Sequence, residues 1–227
     1  MQEPRVIKLL VFSDIICPWC YIGQREMDKA IEQCSDYPLK FEIEYRPYKL
    51  QPSLKEDQVI SKREWFESRF GKEKTESMNS MVSSRGEQVG INFKLTDGVI
   101  TQTTKAHRLL LKAWKLGGQD LQLPLLHALF KGYFEQSKNL GDIASLAGVA
   151  AEVGVMSHDE AVKFLESDEC QAEVEQMMIE VRKKGVTGVP FVVIDGRWAV
   201  SGGHSADTYV QIFKKMSNSD KSSPPSS

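Results

Sequence analysis

Cys17-Pro18-Trp19-Cys20 constrains this chain more than any other stretch, because the two thiols directly follow the apolar run Val6-Ile7-Lys8-Leu9-Leu10-Val11-Phe12 and open a helical pattern. A strand that hands a C-x-x-C pair to a helix N-terminus points to redox chemistry, whereas the same pair alone also serves as half of a zinc site. A zinc site would need two more ligands. Cys34 and Cys170 are isolated, and His107, His127, His158 and His204 show no metal-type spacing, so no metal is expected. Far downstream, Thr187-Gly188-Val189-Pro190 precedes a second apolar run, which strengthens the redox reading.

Local chemistry assigns unequal roles to the two cysteines. The thiolate, not the thiol, attacks disulfides. Cys17 stands where the helix begins, and there the orphan backbone N–H groups and the positive end of the helix dipole favour a negative sulfur. Pro18 at the first helical position forfeits no needed hydrogen bond and presets the backbone. Cys20 lies almost a turn further in, within reach of Cys17 but less accessible. Cys17 is therefore the expected nucleophile and Cys20 the resolving thiol. Trp19 offers an apolar face and no positive charge to the thiolate, which suggests a mild oxidant. Cys34 shares one helix face with Met27, Ala30 and Ile31, and is expected to pack as a free thiol, as is Cys170.

The remaining pattern divides the chain into two kinds of segment. Strand, helix and strand follow one another through residue 47, the second strand alternating Phe41, Ile43 and Tyr45 with Glu42 and Glu44 as an exposed edge should. Phe191–Ile194 and Arg197–Ser201 flank Asp195-Gly196, which predicts a hairpin closed by a two-residue turn. A helix is expected over 207–216. Residues 51–185 contain no strand pattern; helices are expected after Thr104, over 124–137, after Asp142 as N-cap, after the Ser157/Glu160 capping box, and up to Gly185, with a further helical stretch within 62–90. The tail, 217–227, cannot bury apolar surface and is expected to be disordered.

Composition excludes several classes. A net charge of −2 with no basic block argues against nucleic acid. No apolar stretch is long enough to span a bilayer, and Gln2-Glu3-Pro4 replaces the basic start of a secretory signal, so no membrane association and a cytoplasmic location are expected. A monomer is the default expectation, since no dedicated dimerisation segment stands out.

Asp14-Ile15-Ile16-Cys17-Pro18-Trp19-Cys20-Tyr21-Ile22-Gly23, Glu44-Tyr45-Arg46-Pro47-Tyr48, Ala106-His107-Arg108-Leu109, Asn139-Leu140-Gly141-Asp142, Val186-Thr187-Gly188-Val189-Pro190-Phe191 and Ala199-Val200-Ser201-Gly202 together resemble the FrnE-like branch of the DsbA oxidoreductase superfamily. The resemblance runs from about Val6 to Phe213. It implies an α/β thioredoxin fold with a large all-helical insertion: a discontinuous domain over 1–50 and 186–216, and an inserted helical domain over 51–185. It also implies a thiol-disulfide oxidoreductase with Cys17 and Cys20 as the redox pair, acting through a mixed disulfide on a thiol- or disulfide-containing protein or small molecule. Pro18, Trp19, Val189 and Pro190 would meet the substrate, with Pro190 preceded by a cis bond that leaves the Val189 backbone open to an extended peptide. His107 is a candidate for proton transfer or for a glutathione carboxylate, against the plainer reading of a partly buried polar contact. No bound cofactor is expected; glutathione enters as redox partner or cosubstrate. The alternative is a glutathione-dependent transferase or isomerase of the kappa-class or hydroxychromene-carboxylate isomerase type. Those relatives carry a serine where this chain has Cys17.

Overall fold

The first apolar run becomes the centre of a sheet. In this computed structural model, which describes residues 3–219, β1 (Arg5–Ser13) pairs in parallel with β2 (Leu39–Pro47) in register from Arg5↔Leu39 to Ser13↔Pro47. α1 (Pro18–Gln33) crosses between them. On its other edge β1 pairs antiparallel with β5 (Phe191–Ile194), which continues into β6 (Trp198–Ser201), giving the order β2-β1-β5-β6. Two strands far apart in sequence thus flank the strand that delivers the tetrad, and Ile7, Leu9 and Val11 are buried beneath α1 and α9 (Ala206–Ser219).

The hairpin between β5 and β6 differs from expectation in the length of its turn. Ile194 pairs with Trp198, so three residues, Asp195 to Arg197, make the turn rather than two. The reason lies in β1. The Asp195 N–H donates to the Lys8 carbonyl and its Oδ1 accepts the Lys8 N–H, both at 2.8 Å, which fastens Asp195 to the neighbouring strand. Asp195 and Gly196 then turn the chain with φ of 50° and 68°, the left-handed region that Asp and Gly tolerate.

Between β2 and β5 lie α2 (Lys62–Phe70), α3 (Lys72–Glu87), α4 (Thr104–Gly117), α5 (Gln119–Glu135), α6 (Ile143–Glu152), α7 (His158–Glu166) and α8 (Gln171–Lys183). The insertion is not wholly helical, because β3 (Ile60–Ser61) and β4 (Val99–Ile100) form a short antiparallel pair. Strands of two residues are too short to show a period. The caps at Asp142, which accepts from the Ser145 N–H at 2.8 Å, and at Ser157 with Glu160 form as expected. α5 starts five residues before the expected Pro124, just past Gly118, whose φ is 59°. The proline removes one helical hydrogen bond, and the burial of Leu125, Leu126, Leu129 and Phe130 outweighs that loss. α9 runs three residues into the segment expected to be a tail; the rest of that segment, 220–227, lies outside the described residues.

β2 is an edge strand, but charge is not its main protection. Gln122 on α5 accepts the Tyr45 N–H (2.7 Å) and donates to the Tyr45 carbonyl (2.9 Å), and Gln119 accepts the Ile43 N–H (2.8 Å). Two side-chain amides thus stand in for the missing neighbouring strand and lock the insertion onto the sheet.

Candidate active site

Cys17 is the N-cap of α1, with extended backbone angles (φ −92°, ψ 111°), and Pro18 begins the helix. The Cys17 N–H donates to the Asp14 carbonyl at 3.0 Å, and the Cys17 carbonyl accepts from the Cys20 and Tyr21 N–H groups. This turn sets both thiols on one side of the helix start. Both are free and both are buried, with Cys17 only 4% exposed. Burial pushes the Cys20 thiol well up from its ordinary range, and its hydrogen bond with Cys17 pushes in the same direction. Cys20 is therefore held protonated beside its neighbour.

The second signature meets the first across the chain. The Val189–Pro190 peptide bond is cis. The Pro190 ring faces Gly23 of α1, where a Cβ would stand 3.4 Å from the ring, and its carbonyl accepts the Gly202 N–H at 2.9 Å. The Val189 carbonyl is not open, as expected from sequence, but accepts the Cys17 Sγ–H with a separation of 3.6 Å. Trp19 is half-buried and lies over Gly203.

Cys17, Pro18, Trp19 and Val189 form one wall of a cavity of about 320 Å³. The other walls come from the insertion, among them Lys62, Trp65, Phe66 and Phe70 of α2, and Tyr133 and Phe134 of α5. His107 does not line it. His107 is buried beside a separate small cavity, with Nε2 3.4 Å from Asp14 Oδ1. Its place matches the plainer of its two sequence readings, a buried polar contact.

Two residues of the site were not singled out from sequence. Asp14, fully buried, ties three segments together: its carbonyl takes the Cys17 N–H, its Oδ2 the Leu50 N–H at 2.8 Å, and its Oδ1 faces His107. Lys62, 2% exposed, donates through Nζ to the Tyr133 carbonyl at 2.8 Å. Asp14 stands inside the matched motif, yet only its partners give it a role; nothing local marks Lys62. Cys34 and Cys170 are buried away from the dithiol, at the C-cap of α1 and the N-cap of α8, and burial pushes both thiols up.

A sheet of this order, a dithiol at the start of the first helix and a cis proline facing it define a thioredoxin-fold thiol protein. The chain belongs to the DSBA-like thioredoxin domain family, which matches residues 8–214. The uncharacterised protein YwbO of Bacillus subtilis is 24% identical over 210 residues, which is 89% of this chain and 94% of YwbO. Among solved structures, the probable DsbA oxidoreductase SCO1869 of Streptomyces coelicolor superposes with a TM-score of 0.82 at 24% identity, over 97% of this chain and 93% of that one. The cytosolic disulfide reductase DsbM of Pseudomonas aeruginosa, solved with GSH, superposes with a TM-score of 0.60 at 12% identity, over 92% and 98%. Among the described residues no helix is long and apolar enough to cross a membrane.

Proposed function

We propose that this chain is a thiol-disulfide oxidoreductase of the FrnE-like branch, with Cys17 as nucleophile and Cys20 as resolving thiol. The observation that carries the proposal is the asymmetry of the pair: Cys17 caps a helix start and borders a cavity, while Cys20 is sealed behind it with its thiol held protonated. The Cys17 thiolate attacks one sulfur of a substrate disulfide, that S–S bond breaks, and the departing sulfur takes up a proton. Cys20 then gives up its proton and attacks the Cys17 sulfur, releasing the second substrate thiol and leaving a Cys17–Cys20 disulfide. Two electrons and two protons pass to the substrate; the reverse sequence oxidises a dithiol. Membership of the family and the DsbM likeness support a thiol or disulfide partner, with glutathione among the candidates, and a cytoplasmic setting. Every group invoked comes from one chain, so a monomer suffices.

Titration in glutathione redox buffers, followed by tryptophan fluorescence with Cys17→Ser as control, tests the proposal. A reversible two-electron transition between roughly −120 and −270 mV, absent from the control, is the expected result. Cys20→Ser should then trap a mixed disulfide at Cys17. Glutathione conjugation or isomerisation that survives Cys20→Ser, without any redox transition, would instead establish the transferase or isomerase alternative.

A further inference from the structure

The cavity beside Cys17 holds one buried cation. Lys62 opens α2, just after the β3–β4 pair, whose contact with Gly98 fixes its backbone: the Lys62 N–H donates to the Gly98 carbonyl at 3.1 Å. Its Nζ lies 3.8 Å from the centre of the Tyr133 ring and spends one hydrogen bond on the Tyr133 carbonyl. An ammonium carries three donors. Among the described residues no carboxylate forms an ion pair with it, and no acidic residue lines the cavity. Burial lowers its pKa to about 8, opposed by the charge of Asp97, so the amine is still mostly protonated at neutral pH. A buried ammonium with no ion-pair partner in contact is costly, and an anion brought into the cavity would relieve that cost.

The remaining surface of the cavity selects the rest of the ligand. Trp65, Phe66, Phe70, Ile100 and Phe134 present aromatic and aliphatic faces, and the volume of about 320 Å³ suits a small molecule rather than a polypeptide. Glutathione, with two carboxylates and an ammonium, would find one cation and no anion. We propose, building on the dithiol reading, that this cavity takes a low-molecular-weight thiol or disulfide with an apolar body and one carboxylate, which meets Lys62 while the sulfur meets Cys17.

Binding of 2-naphthoate and of its uncharged analogue 2-naphthamide to the Cys17→Ser protein, measured by calorimetry, tests this. One molecule should bind per chain, the acid about tenfold more tightly than the amide at neutral pH. Lys62→Met should bring the two within about twofold of each other, by weakening the acid and leaving the amide unchanged. A second readout needs no change at Lys62. The acid is ionised throughout, so its advantage should fade as pH rises through about 8. The other titratable groups facing Lys62 are the Tyr133 phenol, pushed up by burial, and the Asp97 carboxylate. Equal affinities for the two ligands, no binding of either, a preference untouched by Lys62→Met, or one that persists well above that pH would each overturn the proposal. Because this protein lacks the nucleophile, the outcome is separate from the redox titration: intact selectivity with no redox transition would sink the dithiol reading alone.

Discussion

Cys17 Sγ lies 3.6 Å from the carbonyl oxygen of Val189, so the residue before the cis proline receives the thiol of the residue before the helix. The contact joins positions 172 residues apart and covers Cys17 from one side. What remains open is the cavity between the dithiol and α2, and a reagent must enter there.

Selective alkylation follows from this arrangement. In reduced protein at neutral pH, iodoacetamide should modify Cys17 at least about tenfold faster than any other cysteine, since of the four only Cys17 borders the cavity, while burial pushes up the thiols of Cys20, Cys34 and Cys170. Peptide mass spectrometry over a time course reads the order. Cys20 labelled as fast as Cys17 would contradict the asymmetry.

Two helical glycines should respond in opposite ways to alanine. At Gly23 the new methyl makes ordinary contact with the Pro190 ring, so the loss of backbone freedom in the unfolded chain prevails, with a gain of about 0.5–1 kcal/mol and disulfide exchange retained. At Gly86 the methyl would fall on the Phe93 ring, well inside contact distance. That ring is held by edge contacts to Tyr21 and Phe134, with centroids 6.0 and 5.2 Å away, so Gly86→Ala should cost about 1–3 kcal/mol. Urea unfolding of the two variants distinguishes them.

Much of this could be read from the chain itself, where the signal was local. The strand before the tetrad, α1 with Pro18 at its start, and the capping signals at Asp142 and Ser157 rest on neighbours within a few residues. The Val189-Pro190 signature needed only its own pattern and the apolar run after it. Features set by distant partners were not legible. The third residue of the β5–β6 turn follows from Asp195 bonding to Lys8, and the early start of α5 from burial that offsets Pro124. Lys62 depends on Tyr133, 71 residues away, and His107 on Asp14, 93 residues away. A histidine on a helix near the site reads alike whether it faces substrate or a buried carboxylate.

Arg108 should prove the most sensitive basic residue for stability. Buried on α4, its guanidinium donates to the carbonyls of Phe164 (3.1 Å), Leu165 (3.4 Å), Ser167 and Glu169 (2.9 Å), gathering carbonyls at the end of α7 and just beyond it. Arg108→Met removes this donor from four carbonyls, of which only that of Phe164 is seen to keep others, the Ser167 N–H and hydroxyl, and should cost roughly 2–4 kcal/mol. Arg108→Lys should recover only part of this, because an ammonium cannot span the same fork. A loss below about 0.5 kcal/mol in chemical denaturation would show that water satisfies the α7 carbonyls equally well.

Lys62 also leaves a signature in the pH dependence of stability. Its amine titrates at about 8 in the folded chain and at about 10.4 in the unfolded one. Below both values the two states hold the same proton; between them the unfolded chain holds more, so this group makes stability rise with pH. Lys62→Met removes that contribution. The stability of the native sequence relative to the variant should therefore climb, by on the order of 2 kcal/mol, as pH goes from neutral through that window. Cys20, Tyr21 and Tyr209, whose pKa values burial raises, oppose the trend in both proteins and cancel in the difference. Urea unfolding of both proteins under reducing conditions across the window measures it, and a difference that stays flat would mean that the Lys62 amine is as well solvated folded as unfolded.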